Sequence, residues 1–287
     1  MNPGGHPHPH SARRSHPHGD DRPSGLPTLL DLDAQVLAAS LADARADVRT
    51  LVEGRVRTIL DLGAGTGSGT FGLLQCFPGA HALVLDQSDD MLQHVRDRAR
   101  HLGVSSRVST LRADLDQGLP DLPPVDVAWA SGSLHHLAEP DVTLADIASV
   151  IRPGGLLAVI ELTGHPRFLP DDTAGGVAES NAHALLAGDR AVDMPTMGGD
   201  WRSRLSRAGL AAETERTIEV DLAPPLPPVA GDYAFALLTR IRDAVAGRLG
   251  LVDDEQLGLL LDGGTADVRR RGDLHVRAER QLLIARR

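Results

Sequence analysis

The sequence contains no lysine; all 29 of its basic residues are arginine. With alanine and glycine abundant, that composition reads as coding bias and carries no mechanism. Aromatic residues make up 2 % of the chain, too few for the stacking platforms that hold single-stranded nucleic acid. Cys76 is the one cysteine, so no intramolecular disulfide can form and a reducing cytoplasm is the expected location. No apolar run approaches the roughly 20 residues that span a bilayer, and no apolar leader segment is visible at the N-terminus. Acidic residues outnumber basic ones 39 to 29, giving a formal net charge of −10. Broad phosphate-backbone binding needs a basic face, so neither nucleic acid nor membrane is an expected partner.

What is present divides into a tail and a globular part. Residues 1–27 interleave His6, His8, His10, His16 and His18 with proline and glycine. Such a segment buries no core and is expected to be disordered and dispensable for folding; no second ligand cluster completes a metal site there. The globular part, residues 28–287, opens on Leu29, Leu32, Val36, Leu37, Leu41, Val48 and Leu51, whose spacing predicts a helix over 29–52. Strands are then expected at 56–62, 81–86, 108–112, 125–130 and 156–162. Helices are expected between them at 70–77, 88–102 and 142–151. That alternation predicts a doubly wound α/β fold with a mostly parallel sheet and helices on both faces. Beyond Gly164 the pattern weakens: a short helix at 201–208, a strand at 211–222, helices at 233–249 and 253–261, and a final strand at 280–285. Residues 164–200 and 224–272 read as irregular cap insertions, and 29–52 as a lid.

The chemistry gathers at the strand ends, where open parallel sheets bind ligands. The run Asp61-Leu62-Gly63-Ala64-Gly65-Thr66-Gly67-Ser68-Gly69 follows the first strand. Its glycines let backbone approach a ligand closely, and it leads into a helix N-terminus with free N–H groups. Asp86 ends the second strand about 20 residues later, where an acid accepts from ribose hydroxyls. Asp114, with Asp116 as a nearby alternative, follows the third.

Five segments between 56 and 162 resemble, in order, those of class I S-adenosylmethionine-dependent methyltransferases: 59–67, Asp86-Gln87-Ser88 with Met91-Leu92, Arg112-Ala113-Asp114, the loop 131–137, and Ile151-Arg152-Pro153-Gly154-Gly155. The resemblance implies a seven-stranded sheet whose last strand inserts antiparallel, with S-adenosyl-L-methionine as donor and S-adenosyl-L-homocysteine as product. It implies that Asp61, Gly63, Gly65 and Ser131 surround the methionine part of the cofactor. Asp86 would hold its ribose, and Gln87, Ala113 and Asp114 would border adenine; Ala64, Met91 and Leu115 complete the set. Gln87 departs from the family's usual apolar residue. His135 and His136 stand where the transferred methyl would emerge, so either could orient or deprotonate an acceptor; Glu161 is a second candidate base, with Tyr233 and His183 behind it. The plainer reading has His136 packed under the loop, His135 capping it and Glu161 a solvated strand end.

The expected acceptor is a small molecule, such as a secondary metabolite, methylated on O, N or C. It would lie between the lid and an apolar cap containing Phe168, Leu185, Leu186, Met194, Met197, Phe235 and Leu238. Asn-Pro-Pro-Tyr, which the resemblance would lead one to expect in an enzyme of exocyclic base nitrogens, is absent after the fourth strand; no catalytic metal is expected, and the chain would be a monomer or homodimer. Two alternatives stay open. A nicotinamide-dependent oxidoreductase would use Gly-x-Gly-x-x-Gly, whereas Gly63, Gly65 and Gly67 are spaced by two throughout. A cofactor-binding regulator without catalysis would keep the loop and lack an acceptor pocket.

Overall fold

The computed structural model describes residues 25–287. The expected tail lies outside the described residues except at its end, where Leu26 and Pro27 open the first helix; a proline fits the first turn, whose N–H groups lack partners. In chain order the elements are α1 (Leu26–Val36), α2 (Ala38–Leu51), β1 (Thr58–Leu62), α3 (Ser68–Cys76), β2 (His81–Asp86), α4 (Asp89–His101), β3 (Val108–Arg112), β4 (Val125–Ser131), α5 (Pro140–Val150), β5 (Ile151–Leu162), α6 (Ala174–Asp193), α7 (Trp201–Arg207), β6 (Ala211–Leu222), α8 (Ala230–Ala244), α9 (Leu251–Leu261) and β7 (Val276–Arg286).

The seven strands form one sheet in the order β3-β2-β1-β4-β5-β7-β6. The first five run parallel, and β7 inserts antiparallel between β5 and β6. The expected architecture is therefore found, with the final strand longer than expected. Strand order reverses between β1 and β4, which opens a crevice at their C-terminal ends. Successive side chains feed opposite faces. Ile59, Val84, Trp129, Ala158 and Ile284 join the larger core under α1–α4, α6, α8 and α9. Leu60, Leu85, Ala130, Val159 and Leu283 join the smaller one under α5 and α7. Burial on both sides is why these strands read as apolar runs rather than alternating ones.

Local signals set the helix ends near the crevice. Ser88 caps α4 by accepting from the Met91 N–H at 3.3 Å, with Asp89 and Asp90 in the positive first turn and Arg98, Arg100 and His101 in the last. Two expectations are corrected. Residues 29–52 form two helices that break at Leu37, not one. Residues 164–200, read as irregular, contain the 20-residue α6. Its start is disguised by Gly175 and Gly176, the second of which packing requires: a Cβ on Gly176 would lie 1.9 Å from the Pro170 carbonyl oxygen. No helix among the described residues is long and apolar enough to cross a membrane.

Candidate functional site

The loop between β1 and α3 turns on three glycines with positive φ: Gly63 at 62°, Gly65 at 52° and Gly67 at 77°. It is held from both flanks. The Ala64 N–H donates to the Leu85 carbonyl at 3.0 Å. The Gly65 N–H donates to Asp86 Oδ2 at 2.8 Å, and the other oxygen of that carboxylate accepts from the Ser88 N–H at 2.9 Å. Asp86 thus fixes the loop and the start of α4 together, while two lone pairs per oxygen leave room for ribose hydroxyls. Ser133 donates its hydroxyl to the Leu62 carbonyl at 2.8 Å, and a Cβ on Gly63 would sit 2.6 Å from the Ser133 Cβ. Leu30 of α1 lies over the loop, its Cδ1 2.9 Å from where a Cβ on Gly65 would be. The first lid helix is pinned there by Asp33, which accepts from the Tyr233 hydroxyl at 2.5 Å and the Arg280 guanidinium at 2.6 Å. Burial and the Asp33 charge hold the Tyr233 phenol well above its ordinary value, so it is a lid anchor and no base.

Asp61, at the end of β1, is buried and accepts from the Thr70 hydroxyl at 2.5 Å. Desolvation pushes its carboxyl up to about 6, against the pull of that hydrogen bond. A carboxyl raised in the fold contributes stability that is fully present below its unfolded value of 3.8 and is lost as pH rises through about 6. The shift of about two units corresponds to roughly 3 kcal/mol. Asp61→Asn keeps an acceptor for Thr70 and removes the charge. Thermal melts of the ligand-free variant should lack the stability loss between about pH 4 and 6, and its Tm at about pH 8 should exceed that of the parent. Superimposable profiles would mean the carboxylate is solvated.

The adenine-side residues lie beside β2 and β3. The Ala113 N–H donates to the Asp86 carbonyl at 3.0 Å. The exposed Asp114 caps a single 3-10 turn, Leu115–Gln117, by accepting from the Asp116 N–H at 3.1 Å. Asp116, the alternative, is used elsewhere: it accepts from the Ala138 N–H at 2.8 Å and ties this turn to the loop after β4. Gln87 is exposed and Met91 buried behind the loop. Ser131 ends β4 opposite Ile160 of β5.

His135 and Glu161 are brought together, and both are buried. The plainer reading of these residues is overturned. Glu161 is no solvated strand end: its Oε1 accepts from the Ser133 and Leu134 N–H groups at 3.2 and 2.8 Å, and its Oε2 lies 2.5 Å from His135 Nδ1. His136, not His135, is the exposed member, with its ring 4.1 Å from that of His135. A carboxylate on Nδ1 selects the Nδ1–H tautomer and leaves Nε2 as the acceptor nitrogen. Sequence reasoning missed the histidine that follows β5. His165 sits 6.1 Å from His183 of α6, ring to ring. Burial, then the charge of Arg190, pulls His165 down to about 4, and burial does the same to His183, so both are neutral at pH 7. No metal-binding cluster of His, Cys, Asp or Glu occurs among the described residues. Of the apolar cap residues, Phe168, Leu186 and Leu238 are core: Phe168 meets Tyr233 edge-on at 5.3 Å.

Residues 60–157 match the family described as a methyltransferase domain. Over 130 residues the chain is 34 % identical to a malonyl-[acyl-carrier protein] O-methyltransferase of Laribacter hongkongensis, an alignment covering 43 % of each protein. Over 102 residues it is 31 % identical to a trans-aconitate 2-methyltransferase of an Azoarcus species, covering 36 % of this chain and 38 % of that one. A crystal structure of a Bacillus halodurans protein described as a methyltransferase shares the fold, with a TM-score of 0.55 at 15 % identity over 86 % of this chain and 98 % of the other. The chain spans less than half the length of the curated relatives it matches, from 25 % to 49 %. Residues 60–157 are a methyltransferase domain, and the sheet order and glycine loop are those expected of the class I S-adenosylmethionine-dependent kind. Family and fold imply S-adenosylmethionine as methyl donor, and the loop fits it: the positive-φ Gly63 and Gly65 are partly exposed at the strand ends, and the acids Asp61 and Asp86 flank them.

Proposed function

We propose that the protein is a cytoplasmic methyltransferase acting on a small molecule, with Asp61, Gly63, Ala64, Gly65 and Ser131 around the methionine part of the donor. Asp86 takes the ribose; Gln87, Met91, Ala113, Asp114 and Leu115 border adenine. The observation that carries this reading is the grip of the Asp86 carboxylate on the glycine loop at the strand-order reversal, which fixes an acid and exposed backbone in one rigid cradle. The donor, when bound, supplies an electrophilic methyl on a sulfonium sulfur. The chain's own contribution is to align the acceptor with that methyl and keep water out. The lid helix α1, anchored through Asp33, and the cap helices α6 and α8 serve exclusion. His135, oriented by Glu161, has Nε2 available to position an acceptor or to take its proton where one is held. The names of the two relatives, which specify a malonyl carrier-protein conjugate and trans-aconitate, favour an acceptor of metabolite type.

Calorimetric titration tests the reading. S-adenosylmethionine and S-adenosylhomocysteine should bind at micromolar dissociation constants, a common range for cofactors of this size, while NADH should not bind. Binding of NADH without the sulfonium ligand would move the protein to the oxidoreductases. Because Asp61 must be ionised to accept from the ligand's ammonium group, affinity should fall as pH drops below about 6.

A further inference from the structure

The cap insertions carry six acid-paired or backbone-bound arginines and two that are neither. Arg167, Arg242, Arg248 and Arg269 each hold an aspartate, Arg271 likewise holds Asp273, and Arg270 donates to the Gly264 carbonyl. Arg190 of α6 and Arg240 of α8 have no carboxylate partner among the described residues. For Arg190 the side-chain contact is the thioether of Met197, 3.7 Å from Nη1. Arg240 is exposed, but Arg190 is half-buried, and in a chain with ten more acids than bases a half-buried guanidinium without a counter-ion is an uncompensated desolvation cost.

Arg190 lies at the proposed acceptor side, and Arg240 is on the neighbouring helix α8. Arg190 Nη1 is 3.7 Å from where a Cβ on Gly164 would be, directly after β5, and α6 packs on α8. His183 lies two helical turns before Arg190 on α6, and its Nε2 is buried without a hydrogen-bond partner. His165, next to Gly164, feels the charges of Arg190, His135 and Arg240. The acids nearby are already spent: Glu161 on Ser133, Leu134 and His135, and Glu179 on the Phe168 and Leu169 N–H groups at 2.9 and 3.0 Å. Glu179 Oε1 also lies 3.9 Å from His183 Nε2; what remains beyond the end of β5 is the half-buried Arg190, the exposed Arg240 and two uncharged imidazoles, with no carboxylate on either guanidinium among the described residues.

We propose that the methyl acceptor is a small carboxylate, its anion held by Arg190 and Arg240 beside His165 and His183. The inference rests on the methyl-transfer reading above and adds the acceptor class. A planar guanidinium matches a carboxylate bidentately. In the step, a carboxylate oxygen lone pair forms the new O–CH3 bond as the S–CH3 bond breaks, and the electron pair of that bond stays on sulfur, which becomes a neutral thioether. No proton moves, so no general base is required, and the His135–Glu161 pair holds the loop in shape. The product ester has lost the charge that the arginines bind, which favours its release.

The test uses the full chain saturated with S-adenosylhomocysteine, whose own binding is measured first. Benzoate, glutarate and citrate are titrated by calorimetry against benzamide, glutaramide and methyl benzoate. At least one carboxylate should bind at millimolar concentration or below, with its uncharged counterpart at least about tenfold weaker. Arg190→Gln and Arg240→Gln should each weaken the carboxylate by roughly tenfold while leaving the S-adenosylhomocysteine constant within about twofold, and Arg190→Lys should retain part of the affinity. With S-adenosylmethionine, the carboxylate that binds should yield its methyl ester, with the variants acting on KM. The proposal is overturned if no carboxylate binds, if the amides bind equally, or if both glutamine variants bind as the parent does. Failure of S-adenosylhomocysteine itself to bind would sink the methyl-transfer reading and this one with it.

Discussion

Asp86→Ala is expected to raise the S-adenosylhomocysteine dissociation constant by about 10- to 100-fold. A charged acceptor for two ribose hydroxyls is worth roughly 1.5–3 kcal/mol, and each 1.4 kcal/mol is a factor of about ten. The structure adds a second loss. The carboxylate is also the acceptor for the Gly65 and Ser88 N–H groups, so alanine frees the glycine loop from β2 and from the cap of α4. Part of the weakened binding then comes from a loop that must be ordered when the ligand arrives. Asp86→Asn separates the two contributions. Its side-chain oxygen still accepts from one N–H, so the loop keeps a tether, while the charge offered to ribose is gone. Calorimetry should rank the proteins parent, asparagine, alanine in falling affinity. Equal affinity in all three would mean that the ribose is bound elsewhere and that Asp86 serves the loop alone.

The cofactor half of this site was legible in the sequence because its parts are local. The glycine run, the acid at the end of the next strand and the Ser88 cap lie within 61–91, and each has a backbone consequence that a short motif can signal. The last strand was legible too, since Leu282, Leu283, Ile284 and Ala285 form an apolar run; its antiparallel insertion came from the family resemblance alone. The break at Leu37 was not, because the apolar spacing continues in phase across it and Leu37 itself is buried. Helix α6 was hidden by two glycines in its first turn, although the Thr173 side chain, which accepts from the Gly176 N–H at 3.0 Å, gave the only local sign of a start. The acceptor side was least legible. His135 and Glu161 are 26 residues apart, and only the pairing of Ser131 with Ile160 across β4 and β5 brings them together. Adjacent parallel strands of known register would have predicted the contact; the sequence alone names the strands without their register.

Glu161→Ala is expected to be the most destabilising of the single changes considered. It removes the acceptor of two backbone N–H groups and the partner of a buried imidazole in one step. Each buried donor left unsatisfied costs about 1–3 kcal/mol, and breaking a buried charged pair about 3–5 kcal/mol. For a domain of this size, roughly 2–4 °C of Tm follows each kcal/mol, so the melting temperature should fall by at least about 10 °C. Stability alone does not tell a structural carboxylate from a positioning one, so Glu161→Gln is the informative companion. Glutamine can still accept from the Ser133 and Leu134 N–H groups, and its amide N–H2 would then face His135 Nδ1. That reverses the tautomer preference, moving the ring proton to Nε2. The fold should survive with a loss of only a few degrees. If Nε2 takes a proton from the acceptor, turnover in Glu161→Gln should drop by 100-fold or more, about the lower range of general-base contributions, with S-adenosylhomocysteine binding unchanged. If the acceptor arrives as a carboxylate, the same variant should keep its turnover within about tenfold, and His135→Asn should behave alike. A Glu161→Ala protein that melts with the parent would remove both readings, since the carboxylate could not then be holding the loop at all.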